Sequence, residues 1–290
     1  MNDTPQSSKS PFLVHWTGKD IDSRMDGDEA EKLSVCNDYV ERLINTLSTG
    51  LWMMPPPESL MGSNAWFYYK PPMTCFTETL LTRARDHATR YGRMGFGFTR
   101  EFILTCGGAP VTYVRQHPKD PVLQRINGIF RRLDGAQSFI EPIEEIGVFR
   151  ALRELDEMRD LLEQICAFIK PMSDYGTDNF IYLEEAEWRV AFNKQWYRTI
   201  QSPLNESITF GVPRAIDEFR EKWEKPPNIV ESNIDIQEFY LSFKPDDLAL
   251  LVMPDNDARK MAWGKKKFKK WIAKRNLPLP ILVLQECVSF

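Results

Sequence analysis

Phe12-Leu13-Val14-His15-Trp16-Thr17-Gly18 and, far downstream, Tyr182-Leu183-Glu184-Glu185-Ala186-Glu187-Trp188-Arg189 are short stretches in which apolar and aromatic residues interleave with polar ones. That pattern predicts extended segments. Between them, Leu33, Cys36, Val40, Leu43, Ile44 and Leu47 recur at helical spacing, and Gly50 supplies a stop. A helix over 78–90 is expected to end at Tyr91-Gly92, before a strand at Gly95-Phe96-Gly97-Phe98-Thr99. A further helical face runs from Phe149 through Leu155, Met158, Leu161 and Ile165 to Ile169, until Pro171 ends it. Phe239–Phe243, Leu248–Met253 and Ile281–Leu284 read as late strands, and a helix is expected near 214–224. Short strands scattered among helices, without regular β-α-β alternation, predict an α+β fold.

A chain of 290 residues is long enough to bury a core without staples. Five cysteines without a Cys-x-x-Cys pair, and only 3 histidines, argue against a disulfide framework or a zinc site. No apolar run approaches the roughly 18 residues of a membrane helix. A soluble cytoplasmic protein without membrane contact is expected. Residues 1–10 read as a disordered tail and 11–290 as one domain, with a helical insertion at about 140–172 and a basic helix at about 257–275. Residues 258–275 hold nine Lys or Arg and no Asp or Glu, so the net charge of −4 conceals −13 on the rest. Trp263, Phe268 and Trp271 interleave with these cations. Such a stripe suits phosphate backbones and unstacked bases, or else forms a solvated face packed by its aromatics.

Three positions offer chemistry to a small molecule. His15 ends the first strand and can donate to a ribose hydroxyl, while Gly18 lets backbone groups approach a flat carboxamide. A satisfied strand-end histidine is the structural alternative. Tyr91 can stack on an aromatic ring, or serve as a core residue before a capping glycine. Glu185 and Glu187 face one side of an extended segment and Glu184 the other. One carboxylate can stabilise oxocarbenium-like charge on a ribose while its neighbour orients a nucleophile. The alternative is an acidic edge anchored by Trp188. Cys75-Phe76-Thr77 either lends a hydroxyl to the same pocket or is a core strand. Arg100 stands where a Gly-x-Gly-x-x-Gly motif starting at Gly95 needs its last glycine, which removes a Rossmann site. Glu184, Glu185, Glu187 and Asp178 lack metal-ligand spacing, so no metal is expected.

Leu13 to Gly18, Met73 to Glu78, His87 with Tyr91-Gly92, Pro110 to Val114, Glu185 to Arg189, and Leu241 to Pro254 together resemble the AbiGi family of abortive phage-infection proteins. The resemblance spans residues 12–254 as ordered islands. That family carries an antitoxin label, while the motifs look like those of a toxin enzyme. More distantly, the chain resembles ADP-ribosyltransferase toxins that modify nucleic acids, such as DarT and CmdT. This resemblance implies a split mixed-sheet transferase core and NAD+ as co-substrate. It also implies an RNA or DNA acceptor, RNA favoured, and an antitoxin protein as partner. It assigns Glu187 as the catalytic carboxylate, with Glu185 as the alternative. His15 would hold a ribose hydroxyl. Trp16, Thr17, Gly18, Phe76 and Thr77 would line the cofactor site. Tyr91 would stack, with Tyr68 or Tyr69 as alternatives. Lys265, Lys266, Lys267, Lys269 and Lys270 would hold the acceptor strand. Glu187→Gln would abolish transfer and leave the fold intact. The competing expectation is a catalytically silent antitoxin or binding module.

Overall fold

The computed structural model describes residues 12–22, 28–54, 71–78, 81–115, 117, 119–140, 146–172, 185–191, 208–210 and 239–288. Tyr68, Tyr69, Asp178, Glu184, the tail at 1–10 and the helix expected near 214–224 lie outside the described residues. The first half contains β1 (Phe12–Thr17), α1 (Lys19–Asp22), α2 (Glu29–Thr49), β2 (Leu51–Met53), β3 (Met73–Thr77), α3 (Ala84–Tyr91), β4 (Met94–Thr99), α4 (Arg100–Thr105), β5 (Ala109–Pro110), β6 (Thr112–Val114) and α5 (Pro121–Ile140). The second contains α6 (Ile146–Cys166), β7 (Ile169–Pro171), β8 (Glu187–Ala191), β9 (Ile208–Phe210), β10 (Phe239–Leu241), β11 (Leu248–Met253), α7 (Asn256–Gly264), α8 (Lys266–Ile272) and β12 (Ile281–Val283). The α+β class stands.

Seven strands form the main sheet in the order β12-β11-β4-β1-β3-β8-β5. Only the β11–β12 pair is parallel; the other pairs are antiparallel. β1 lies at its centre, with His15 opposite Phe96 and Val14 opposite Thr77. Side-chain alternation then assigns two faces. Leu13, Phe76, Met94, Phe96, Phe98, Trp188 and Val190 pack with Tyr39, Val40 and Leu43 of α2 and with Ala262 and Phe268 of the C-terminal helices. Val14, Trp16, Leu250 and Val252 pack on the other side with Ala84, Ala88 and Cys287. This explains Gly95-Phe96-Gly97-Phe98. The phenylalanines fill one face, while a Cβ at Gly97 would press on Leu250 and one at Gly95 on Val14 and Trp16.

α2 begins at Asp28, whose carboxylate accepts the Glu31 N–H at 2.9 Å. It ends at Gly50, whose N–H reaches Thr46 O at 2.8 Å and whose φ of 112° turns the chain out of the helix. Sequence periodicity located this helix well. It located α6 less well, because that helix stops at Cys166 and Ile169-Lys170-Pro171 is a strand pairing in parallel with β6. The apolar face expected from Phe149 to Ile169 is also split. Leu162 is buried and Leu155 partly packed, whereas Phe149, Met158, Leu161 and Ile165 are exposed. α5 and α6 close a separate small core with Val114, Leu123, Ile126, Phe130, Leu133 and Ile169.

Pro121 occupies the first position of α5, and the Asp120 carboxylate accepts the N–H groups of Val122 and Leu123 at 3.0 and 3.1 Å. Asp120→Ala should therefore cost about 1 kcal/mol of stability. A urea midpoint unmoved by the substitution would show that the cap contributes nothing. The basic helix expected at 257–275 is two helices, α7 and α8, which meet at Gly264-Lys265.

Candidate functional site: a buried charge network

β8 brings Glu187 and Arg189 onto the sheet face opposite Trp188 and Val190. Glu185 precedes the strand, and Ala186 between them takes φ 45°, so the segment is not regularly extended as the sequence suggests. That turn still delivers both carboxylates to one partner. Lys170 of β7 donates to Glu185 Oε2 at 2.6 Å and also to Glu187 Oε2. Arg189 Nε donates to Glu187 Oε1 at 2.5 Å, and its Nη1 donates to Ala167 O at 2.8 Å. Tyr91 donates its hydroxyl proton to Glu185, and the Arg90 guanidinium lies 3.8 Å from the same carboxylate. Tyr113 accepts the Glu187 N–H at 2.9 Å.

Exposures of 1% for Glu185, 4% for Glu187, 3% for Lys170 and 2% for Arg189 exclude bulk water. Two carboxylates thus face two cations inside the protein. Burial pushes the Glu187 carboxyl up, but Arg189 and Lys170 together outweigh it and hold the group down at about 2. Glu185, which shares Lys170 with Glu187 and meets the Arg90 guanidinium only at 3.8 Å, is raised by burial. Burial and the Glu185 charge raise the Tyr91 phenol, so it stays protonated as a donor. Burial also raises Tyr113, to about 12.

The network ties β6–β7, and with it the α5–α6 hairpin, to the main sheet. Of the residues expected to converge, it unites Tyr91, Glu185 and Glu187. His15 is elsewhere. It faces the α2 side of the sheet, half-buried, with Nδ1 2.9 Å from Cys75 O and its ring edge-on to Phe76 at 5.9 Å. Burial lowers its pKa. Phe76 shares that face, whereas Thr77 lies opposite Glu187 on the other. Trp16 stacks on His87 at 6.5 Å. Thr17 receives Arg42 Nη1 at 3.4 Å, and Gly18 O receives the Tyr39 hydroxyl at 3.0 Å. Lys170 and Arg189 were missed as members of the site. Arg189 stood inside the quoted motif, two residues after Glu187, at the spacing that puts a neutralising charge on the same strand face. Lys170, between Ile169 and Pro171, falls in the sequence at the end of the expected helical face. Among the described residues, no group of His, Cys, Asp and Glu is arranged to hold a metal, and no helix is long and apolar enough to cross a membrane.

The fold and this network define an α+β protein whose most conspicuous acidic residues are neutralised inside it. The family model described as "Putative abortive phage resistance protein AbiGi, antitoxin" matches residues 68–254, and the chain belongs to that family. It therefore sits in a toxin–antitoxin, abortive-infection context. No curated protein and no solved structure matches the chain. The antitoxin description overturns the expectation of an NAD+-dependent ADP-ribosyltransferase toxin. It favours the competing expectation, a silent antitoxin module.

Proposed function

We propose that this chain is the non-catalytic, partner-holding component of an abortive-infection system, an antitoxin whose partner is a protein toxin. The observation that carries this reading is the state of Glu187. A carboxylate that stabilises developing positive charge on a substrate must face the substrate. This one faces Lys170 and Arg189 behind a water-excluding shell. Opening it would take a counter-charge from two buried cations. The partner is then a toxin to be restrained, rather than the antitoxin that an enzymatic toxin would require.

Co-expression with the product of the adjacent gene tests the reading. Growth should be lost when that product is made alone and restored when both are made, and the two should elute together in gel filtration. Growth arrest by this chain alone, or release of nicotinamide from NAD+ by the purified protein, would sink it.

A further inference from the structure

The nine cations of residues 258–275 have no acidic residue within that stretch, but the fold divides them into two groups. Arg259 meets Glu286 at 3.2 Å, Lys260 meets Asp257 at 3.5 Å, and Lys265 meets Glu41 at 2.8 Å. Arg275 donates to Leu248 O at 2.7 Å and to Pro245 O, and lies over the Trp271 ring. Arg259, Lys265 and Arg275 are partly buried fittings of the fold, and Lys260 is an exposed cation paired within its own helix. Lys266, Lys267, Lys269, Lys270 and Lys274 are exposed and make no ion pair among the described residues.

Their exposure follows from the helix. Phe268 is buried and Trp271 and Ile272 pack against the core, so α8 turns its remaining positions outward. Lys266 and Lys270 are four apart, Lys267 lies beside them, and Lys274 is four beyond Lys270. Lys266 and Lys270 are neighbours at that spacing on α8, Lys274 lies in the turn that follows the helix, and like charges at helical spacing repel. The stripe costs stability without an internal return. Next to it stands Trp263, 42% exposed, with its ring edge-on to Phe268 at 5.3 Å. An aromatic held from behind and open in front is a stacking platform.

We propose that Lys266, Lys267, Lys270 and Lys274, with Trp263, form a binding site for single-stranded nucleic acid. The ammonium groups take the phosphates and a base stacks on the exposed part of the indole, with Lys269 at the flank. Ammonium groups pair with phosphate and carboxylate alike, so the exposed indole beside them selects the occupant. An unpaired base supplies the π-face that the tryptophan needs, and such stacking tolerates any sequence. The −13 charge on the rest of the chain confines contact to this stripe. The site does not rest on the antitoxin reading, since none of its residues belongs to the buried network that carries that reading.

Fluorescence anisotropy of a labelled single-stranded RNA 12-mer with the full chain, across a KCl series, is the test. Four to five neutralised phosphates predict a slope of about −3 in log K against log salt. The triple variant Lys266→Glu, Lys267→Glu, Lys270→Glu should bring the slope to about −1 or less. Trp263→Ala should weaken binding about 10-fold or more while keeping the slope. The triple variant should melt at or above the wild type, because it relieves the repulsion, and Trp263→Ala, which gives up packing on Phe268, should melt lower but remain folded at the temperature of the titration. An unchanged slope in the triple variant overturns the site. So does poly-glutamate competing as well as unlabelled RNA, which would make the stripe a receptor for an acidic polypeptide.

Discussion

Glu187→Gln is expected to lower the free energy of unfolding by roughly 3–5 kcal/mol at neutral pH, the range seen when one member of a buried ion pair is removed. The substitution is nearly isosteric, so no cavity enters the comparison. It leaves Arg189, 2% exposed, with a neutral amide in place of a carboxylate, and deprives Lys170 of a counter-charge. Glu185→Gln removes a carboxylate that is itself raised by burial, so its charge is already costly in the folded state. That variant should lose at least about 2 kcal/mol less than Glu187→Gln. Matched urea titrations with unchanged m-values are the measurement. Equal losses in the two variants, or a wild-type midpoint for Glu187→Gln, would refute the asymmetric pairing described above.

The pH dependence has a definite sign. Glu187 ionises at about 2 in the folded protein, below its ordinary value of 4.5. Its stabilisation is therefore complete above pH 4.5 and is lost as pH falls toward 2. Glu185 runs the other way. Its raised folded pKa means that ionisation costs stability at neutral pH, and the cost is relieved as acid protonates it. Wild-type stability should accordingly fall steeply below pH 4.5 as Glu187 takes up its proton, with Glu185 protonated at a higher pH than Glu187. The Glu187→Gln protein should lack that steep acid limb.

Sequence and structure part company at residues whose partners are distant along the chain. α2 was legible because seven buried positions repeat at one period within one segment. The strands β1 and β4 were legible because Leu13 and Phe96-Gly97-Phe98 alternate within a few residues. The site was half legible. Glu185, Glu187 and Tyr91 do meet, but the alternation that puts Glu187 beside Thr77 puts His15 beside Phe76, across the sheet. A strand register decides that, and neither segment encodes the register alone. Lys170 was invisible for a related reason. Pro171 reads as the end of a helix, whereas Ala167-Phe168 has already turned the chain into β7, where a parallel partner 57 residues upstream, Tyr113 opposite Lys170, fixes its direction. The basic stretch was read as one surface because its counter-charges, Glu41 and Glu286, lie on other elements.

Gly92→Ala should be the most damaging of the glycine substitutions, at roughly 4 kcal/mol or more from backbone strain and overlap combined. Gly92 ends α3 with φ 107°, a conformation costly for any residue with a Cβ. An added Cβ would also fall within 3.0 Å of Lys19 N, Gly18 C and Thr17 O, all backbone atoms that have no rotamer by which to yield. At Gly18, also at positive φ, the Cβ meets the Tyr39 ring instead. That hydroxyl lies 2.5 Å from Asp22 and 3.0 Å from Gly18 O and receives the Arg93 N–H at 3.3 Å, so the ring is pinned but is still a side chain. Gly18→Ala should thus cost about half as much. Gly128→Ala on α5, where nothing lies within 4 Å, should instead stabilise by about 0.5–1 kcal/mol. Thermal melts of the three variants without any ligand decide between two uses of Gly18. If the glycine is kept so that a small molecule can approach, Gly18→Ala melts with the wild type. If it is kept so that β1 can turn into α1 beneath the end of α3, stability falls with no ligand present, and falls further at Gly92.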